Sequence, residues 1–261
     1  MEGTEPESPP NQARAFDYYV GGTDHSSVDR EFAAEVDTVL PAMRDLCRSH
    51  RRFSWAAVEH LCRAGVRQFL ELGSGLPTVD HIHTHAGRHH PDRRVVYVDS
   101  DPVVVTHAET LLRDVGGVAV LRADVADAGT VMGSDAVAGT LDLARPVAVL
   151  ACGVLHYVDD RRASAALTAY RDAVGPGSWR AISHLTADGG RDDLVEWAQH
   201  HHAGWSYAPL LRSAPEMDPW LDGFDPVGAG WVSAPDWRPE PSAPSAAETG
   251  SGMWGVVARR R

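Results

Sequence analysis

The stretch at residues 67–76, RQFLELGSGL, constrains the fold of this chain more than any other. Gln68, Phe69, Leu70, Glu71 and Leu72 make an apolar run of strand length, and Gly73, Ser74 and Gly75 free the backbone to turn sharply against a ligand. A helix is expected from Thr78. Strand, glycine loop and helix in that order hold nucleotide-type cofactors at the carboxyl edge of a parallel sheet. A short glycine turn is also a common structural device, so the other strand ends decide what this loop holds.

Strands and helices alternate from Gly65 onward. Strands are expected at 67–72, 94–99, 118–122, 146–151 and 179–185. Helices are expected from Thr78, from Asp101-Pro102 to residue 113, irregularly between Asp127 and Gly139, from Asp159-Asp160 to residue 174, and from Asp192 to residue 202. After Trp205 the pattern changes to a short helix at 215–221 and two strand-like segments, 227–232 and 253–258, able to pair antiparallel. The proline- and serine-rich 238–252 between them is expected to be a mobile loop. Ahead of the core, 1–10 reads as a disordered tail and 11–22 as a short helix closed by Gly21-Gly22. The spacing of Phe32, Val36, Leu40, Leu46, Phe53, Val58 and Leu61 predicts two or three amphipathic helices broken at Pro41. The whole is one α/β unit: a helical extension at 11–64, then a core at 65–261 whose mostly parallel, seven-stranded sheet carries helices on both faces and a closing antiparallel hairpin.

Composition narrows the chemistry. The chain of 261 residues carries a formal charge of -12, which disfavours nucleic acid or an anionic membrane as partner. It contains no lysine, so neither a Schiff-base lysine nor the lysine of a phosphate-binding loop can operate. Cys47, Cys62 and Cys152 lack metal spacing and suit a reducing cytoplasm. The acidic amino terminus does not read as a signal peptide, and the longest apolar run, 146–155, is too short to span a bilayer.

The loop lacks the third glycine of a dinucleotide fingerprint, and Glu71 before it is a poor neighbour for pyrophosphate but a tolerable one for a cation. Asp99 ends the second strand, where a carboxylate can accept from both hydroxyls of a ribose. Asp124 ends the third, where it can accept from an adenine amino group beside the Val125 amide. One acid at a strand end is usually a cap. Three in succession point to a nucleoside.

With these residues the chain resembles the class I S-adenosylmethionine-dependent methyltransferases. More narrowly, it resembles a bacterial S-adenosyl methyltransferase family of unassigned substrate. That likeness rests on Ala13-Arg14 to Tyr18, Gly21-Gly22, Asp24, Asp29-Arg30, FLELGSGLPT, VVYVDSDPVV, Arg122-Ala123-Asp124 and VLHYV. It implies a Rossmann-like fold and S-adenosylmethionine as cofactor, with S-adenosylhomocysteine as product. It also implies that Glu71, Gly73, Ser74 and Gly75 meet the methionine part, Asp99 and Ser100 the ribose, and Asp124 and Val125 the adenine, with Cys152 and Gly153 beneath the sulfonium. Thr23 and His25 stand where the family usually has lysine and asparagine, a departure on the substrate side.

Methyl transfer is a displacement at an activated carbon, so orientation supplies much of the rate and a base assists a protonated acceptor. His156 and Tyr157, past the fourth strand, are the candidate catalytic residues. The segment carrying Arg14, Tyr18, Tyr19 and Asp24 is expected to fold over the cofactor as a lid, with Arg14 at the methionine carboxylate and the other three toward substrate. Of His81, His83 and His85, only His81 and His85 would share a helical face, and no metal site is expected. The functional expectation is methyl transfer to a small molecule. The alternative is a protein that binds S-adenosylmethionine or its product without turnover.

Overall fold

The computed structural model describes residues 9–77, 81–200, 209–239 and 251–261. The expected tail at 1–8, the helix start at Thr78, residues 201–208 and the loop at 240–250 lie outside them.

Three helices come first: α1 (Gln12–Val20), α2 (Ser27–Val39) and α3 (Met43–Arg63). Asn11 caps α1 by accepting from the Ala13 and Arg14 amides, and Gly21 ends it in the left-handed conformation. Ser26 and Asp29 close a capping box on α2. The core then alternates through β1 (Gln68–Leu72), α4 (Ile82–His89), β2 (Arg94–Asp99), α5 (Pro102–Leu112), β3 (Val118–Arg122), α6 (Ala128–Met132), α7 (Asp135–Thr140), β4 (Ala148–Cys152), α8 (Asp160–Ala173), β5 (Trp179–Leu185) and α9 (Asp192–His200). The chain closes with α10 (Ala214–Met217), β6 (Phe224–Pro226), β7 (Val232–Ser233) and β8 (Met253–Arg260). Asp101 and Asp159 cap α5 and α8, as their positions predict.

The sheet runs β3-β2-β1-β4-β5-β8-β6, with β7 also on β8. Strands β1 to β5 are parallel, and β8 is antiparallel to β5 from Trp179 opposite Arg259 to Leu185 opposite Met253. The expected Rossmann-like architecture is thus observed, with eight strands among the described residues rather than seven. The strand expected at 227–232 does not form: β6 ends at Pro226 and β7 begins at Val232, because Gly228 and Gly230 take positive φ angles of 71° and 83° and turn the backbone out between them.

Strand alternation sorts the core into two faces. Phe69, Val95, Tyr97, Ala148, Leu150, Ala181 and Val257 pack with α3, α4 and α5. Their chain neighbours Leu70, Val96, Val98, Val149, Ala151, Ile182 and Val256 pack with α6, α7 and α8. Helix α3 lies on the first face against β4, β5 and β8, and α1 stacks on α2 and α3. Among the described residues no helix is long and apolar enough to cross a membrane.

Phe53 of α3 lies over bare backbone at Gly255 of β8, where a Cβ would stand 2.6 Å from the ring. Trp237 meets the same ring edge-on at 5.9 Å. A side chain at position 255 would therefore push α3 off the sheet. Gly255→Ala is expected to destabilise the protein by about 1–3 kcal/mol, read by denaturant unfolding; an unchanged midpoint would refute this packing.

Candidate active site

The strand order reverses at β1, which has β2 on one side and β4 on the other, so a crevice is expected at their carboxyl ends. The glycine loop lies across it. The Gly73 and Ser74 amides both donate to the Val98 carbonyl of β2, at 2.8 and 3.1 Å. Gly73 has a φ of 70°, and a Cβ there would meet Val154 at 2.5 Å. Gly75 has a φ of 62° and open space where a Cβ would stand, and its amide donates to Asp99 Oδ2 at 2.9 Å. The other Asp99 oxygen accepts from the Asp101 amide at 3.0 Å. Asp99 therefore joins the loops after β1 and β2, and burial raises its pKa above the ordinary carboxylate value.

Glu71 shares the face of Phe69 and is directed toward α3 and α4. Its Oε2 is buried without a hydrogen-bond partner among the described residues, 4.0 Å from His81 Nδ1. Burial pushes its pKa up to about 8; the Arg51 guanidinium opposes the rise, and the Asp99 charge reinforces it. His81 is fully enclosed, and burial, aided by Arg51, holds its pKa down to about 3. A neutral His81 whose Nε2–H donates to the Leu76 carbonyl, at 2.5 Å, turns a lone pair of Nδ1 toward Glu71. Two acceptors facing each other suit a protonated carboxyl. Arg51 lies over the Phe16 ring at 5.3 Å, and its Nε also lacks a partner among the described residues.

At the end of β4, Gly153 has a φ of 71°, and a Cβ there would stand 2.7 Å from the His50 ring. His50 is held by Ser183 Oγ through Nδ1 at 2.9 Å, and burial, with Arg51 nearby, lowers its pKa to about 3. His156 is buried against Tyr157 and His184, with ring centroids 4.2 and 5.5 Å away. Burial pulls its pKa well below the usual imidazole range, and its Nδ1 has no partner among the described residues. Gln12 of α1 reaches Tyr157, whose phenol burial raises. The Cys152 thiol is pushed up to about 12, mainly by burial and then by Glu71, so it is not a ready nucleophile.

Other expected site residues are engaged elsewhere. Arg14 donates from Nε to Asp29 at 2.6 Å, a carboxylate whose pKa falls to about 2 because this and its other hydrogen bonds outweigh burial. Tyr19 is buried between α1 and α2 and donates to the Ala33 carbonyl at 2.9 Å. Tyr18 is half-buried under Arg44, 4.8 Å from its ring. Asp24 lies 3.6 Å from His107 of α5. Asp124 is half-exposed, pairs with Arg162 at 2.6 Å and accepts from the Ala126 amide. Val125 is buried, and its carbonyl accepts from Tyr170 at 2.9 Å. Ser74 is buried and Ser100 exposed.

His50 and Arg51 were not singled out from the sequence, and His81 only for its helical facing. A signal for His50 was present, since it interrupts the buried stripe of Leu46, Cys47, Phe53, Ser54 and Ala57 on α3. The expected histidine facing needs correction. Helix α4 begins at Ile82 with His81 as its cap, so His85 shares a face with His89 and not with His81.

A parallel sheet with a closing antiparallel strand, a glycine turn after its first strand and a carboxylate ending the second define a class I methyltransferase. Residues 5–261 match the family model described as S-adenosyl methyltransferase, and the chain belongs to that family. It is an S-adenosylmethionine-dependent methyltransferase. A DUF574 family protein from Streptomyces avermitilis is 31% identical with a TM-score of 0.87, over 97% of this chain and 98% of that one. A candidate methyltransferase from Thermobifida fusca is 33% identical with a TM-score of 0.88, over 98% and 96%. The magnesium protoporphyrin IX methyltransferase of Synechocystis, solved with S-adenosylhomocysteine, shares the fold at 13% identity and a TM-score of 0.57, over 95% and 93%. None of the curated proteins matches the chain.

The raised pKa of Glu71 has a sign in stability. Its contribution is fully present below the ordinary value of 4.5 and is lost as pH rises toward 8, where the folded carboxyl must ionise. Glu71→Gln is therefore expected to raise the melting temperature of the ligand-free protein near pH 8, by the equivalent of a few kcal/mol, and to leave it unchanged near pH 4.5. Equal effects at the two pH values would refute the assignment.

Proposed function

We propose that the chain transfers the methyl group of S-adenosylmethionine to a small organic acceptor bound between α1 and the loop after β4. The observation that carries this reading is the set of buried polar atoms at the carboxyl edge that have no hydrogen-bond partner among the described residues: Glu71 Oε2, Arg51 Nε and His156 Nδ1. Glu71 suits an ammonium and Arg51 a carboxylate, the two charges on the amino-acid end of the cofactor. Arg51 takes the carboxylate role in this reading because Arg14 is committed to Asp29. Gly75 offers space for close approach, and Asp99 keeps lone pairs free for ribose hydroxyls. Asp124 and Val125 border the adenine side, and Cys152 and Gly153 the floor.

When bound, S-adenosylmethionine supplies a methyl carbon activated for in-line displacement. The residues of the chain orient the acceptor and take its proton. His156 is buried and neutral at physiological pH, as a base must be, and His50, fixed through Ser183, stands second. A small acceptor is supported by the roof over the edge. Asn11 donates to Asp101, Gln12 reaches Tyr157, and Asp24 lies 3.6 Å from His107, so α1 and the turn after it span the site. The net charge of -12 works against a polyanionic acceptor, and three free, buried cysteines suit the cytoplasm.

Calorimetry tests the assignment. Asp99→Ala is expected to weaken S-adenosylhomocysteine at least tenfold, roughly the worth of one charged hydrogen bond. Arg51→Ala should weaken S-adenosylhomocysteine but spare 5′-methylthioadenosine, which lacks the amino-acid end. Undiminished binding by Asp99→Ala would sink the ribose assignment, and parallel losses for both ligands in Arg51→Ala would sink the carboxylate one.

A further inference from the structure

On the outer side of the helical layer, away from the carboxyl edge, Glu59 of α3 meets His85 and His89 of α4. The two histidines are one turn apart and share a helix face. Their Nε2 atoms converge on one oxygen, Glu59 Oε2, at 3.2 and 2.6 Å. Ligand atoms of the three residues all lie within 4.8 Å of one another, and this is the one cluster of its kind among the described residues. The second carboxylate oxygen is taken by Arg63, one turn along α3, at 2.7 Å.

We propose that Glu59, His85 and His89 bind a divalent transition-metal ion of the zinc class, which bolts α4 to α3. Two imidazole nitrogens and one carboxylate oxygen select zinc, cobalt, nickel or copper over magnesium and calcium, which prefer all-oxygen sets. Ligand bonds of about 2.0–2.1 Å in a tetrahedron require donor atoms roughly 3.3 Å apart, a spacing that the three side chains reach with small rotations. Without an ion, both imidazoles must present a proton to the same oxygen. An ion replaces those two protons with one centre of charge.

Arg63 suits the arrangement, since it orients the carboxylate and leaves a single oxygen for the metal, as outer partners of metal ligands do. The Glu59 carboxyl is held below its ordinary range although burial works the other way, because His89, Arg63 and His85 together outweigh burial. The side chains of Glu59, His85 and His89 are 28%, 15% and 31% exposed, so the ion would enter from solvent and keep a water in its fourth position.

The place of the site gives it a use. The cap of helix α4, His81, holds the glycine loop through the Leu76 carbonyl and lies against Glu71. Helix α3 carries His50 and Arg51. A bolt between the two fixes neighbouring helices of one face, each of which carries residues of the carboxyl edge, without touching what that edge binds.

The test is a zinc titration of tag-free, metal-stripped full-length protein at about pH 7.5, followed by calorimetry and melting temperature. One saturable equivalent with a raised melting temperature is expected, retained when His200, His201 and His202 are all replaced by Ala. His85→Ala, His89→Ala and Glu59→Gln should each weaken uptake at least tenfold. Substituted Co2+ should give the intense visible bands of a four-coordinate site in the native protein and lose them in Glu59→Gln, which preserves side-chain shape. No saturable uptake by the native protein, or uptake unchanged in His85→Ala, would overturn the proposal.

Discussion

A carboxyl group buried without full satisfaction governs the carboxyl edge of this sheet. Glu71 sits on the first strand, where the strand order reverses, and the fold gives its Oε2 no hydrogen bond among the described residues. An unpaired ion at such depth costs several kcal/mol, so the ligand-free protein keeps the proton on Glu71 instead. Arg51 tempers that cost but does not remove it. The need for a cation at this point and the position of α3, which brings Arg51, are two sides of one constraint.

Docking α3 so close to the strands depends on missing side chains. Gly255 leaves room for Phe53, Gly153 for His50, and Gly73 for Val154. In the first case the glycine lies within a strand and serves packing; in the other two a positive φ turns the chain at a strand end as well. A Cβ at either kind of position would displace an element from the site's wall. The amino-terminal helices obey the same logic, with the Asp17 carboxylate filling the space at Gly22 and holding the turn through the Asp24 amide and His25.

What the sequence made legible follows from how local each signal is. The strands at 94–99, 118–122 and 179–185 appear with the expected bounds, because runs of apolar residues end there in acids, arginine or a threonine turn. The caps at Asp101 and Asp159 are local as well, each a side chain bonding its own next turn. Glu71, Gly75 and Asp99 stood out because strand ends of a parallel sheet meet at one edge whatever the details. The lack of a strand at 227–231 was not legible, since Gly228 and Gly230 break the extended run only once their φ angles are known. Nor was the meeting of His50, Arg51 and His81, or of Glu59, His85 and His89, which depends on how α3 lies beside α4. A polar residue inside an apolar helical stripe is the one local trace such a meeting leaves.

The charge states at the edge carry an argument about turnover. Burial holds His50 and His81 neutral with pKa values of about 3, His156 lower than its usual range, and Cys152 protonated with a value of about 12. The edge is therefore close to uncharged apart from Arg51 and Asp99, with Glu71 ionising once a cation lies against it. In the proposed reading those charges meet the amino-acid and ribose ends of the cofactor, and only neutral groups lie near the sulfonium. Transfer of the methyl group discharges the sulfonium and leaves the ammonium and carboxylate intact. A site that holds the cofactor by its ends gains little from that positive centre, so it does not oppose the loss of charge that the reaction brings. Affinity and chemistry are thus assigned to different residues: Glu71, Arg51 and Asp99 for holding, His156 and His50 for the acceptor.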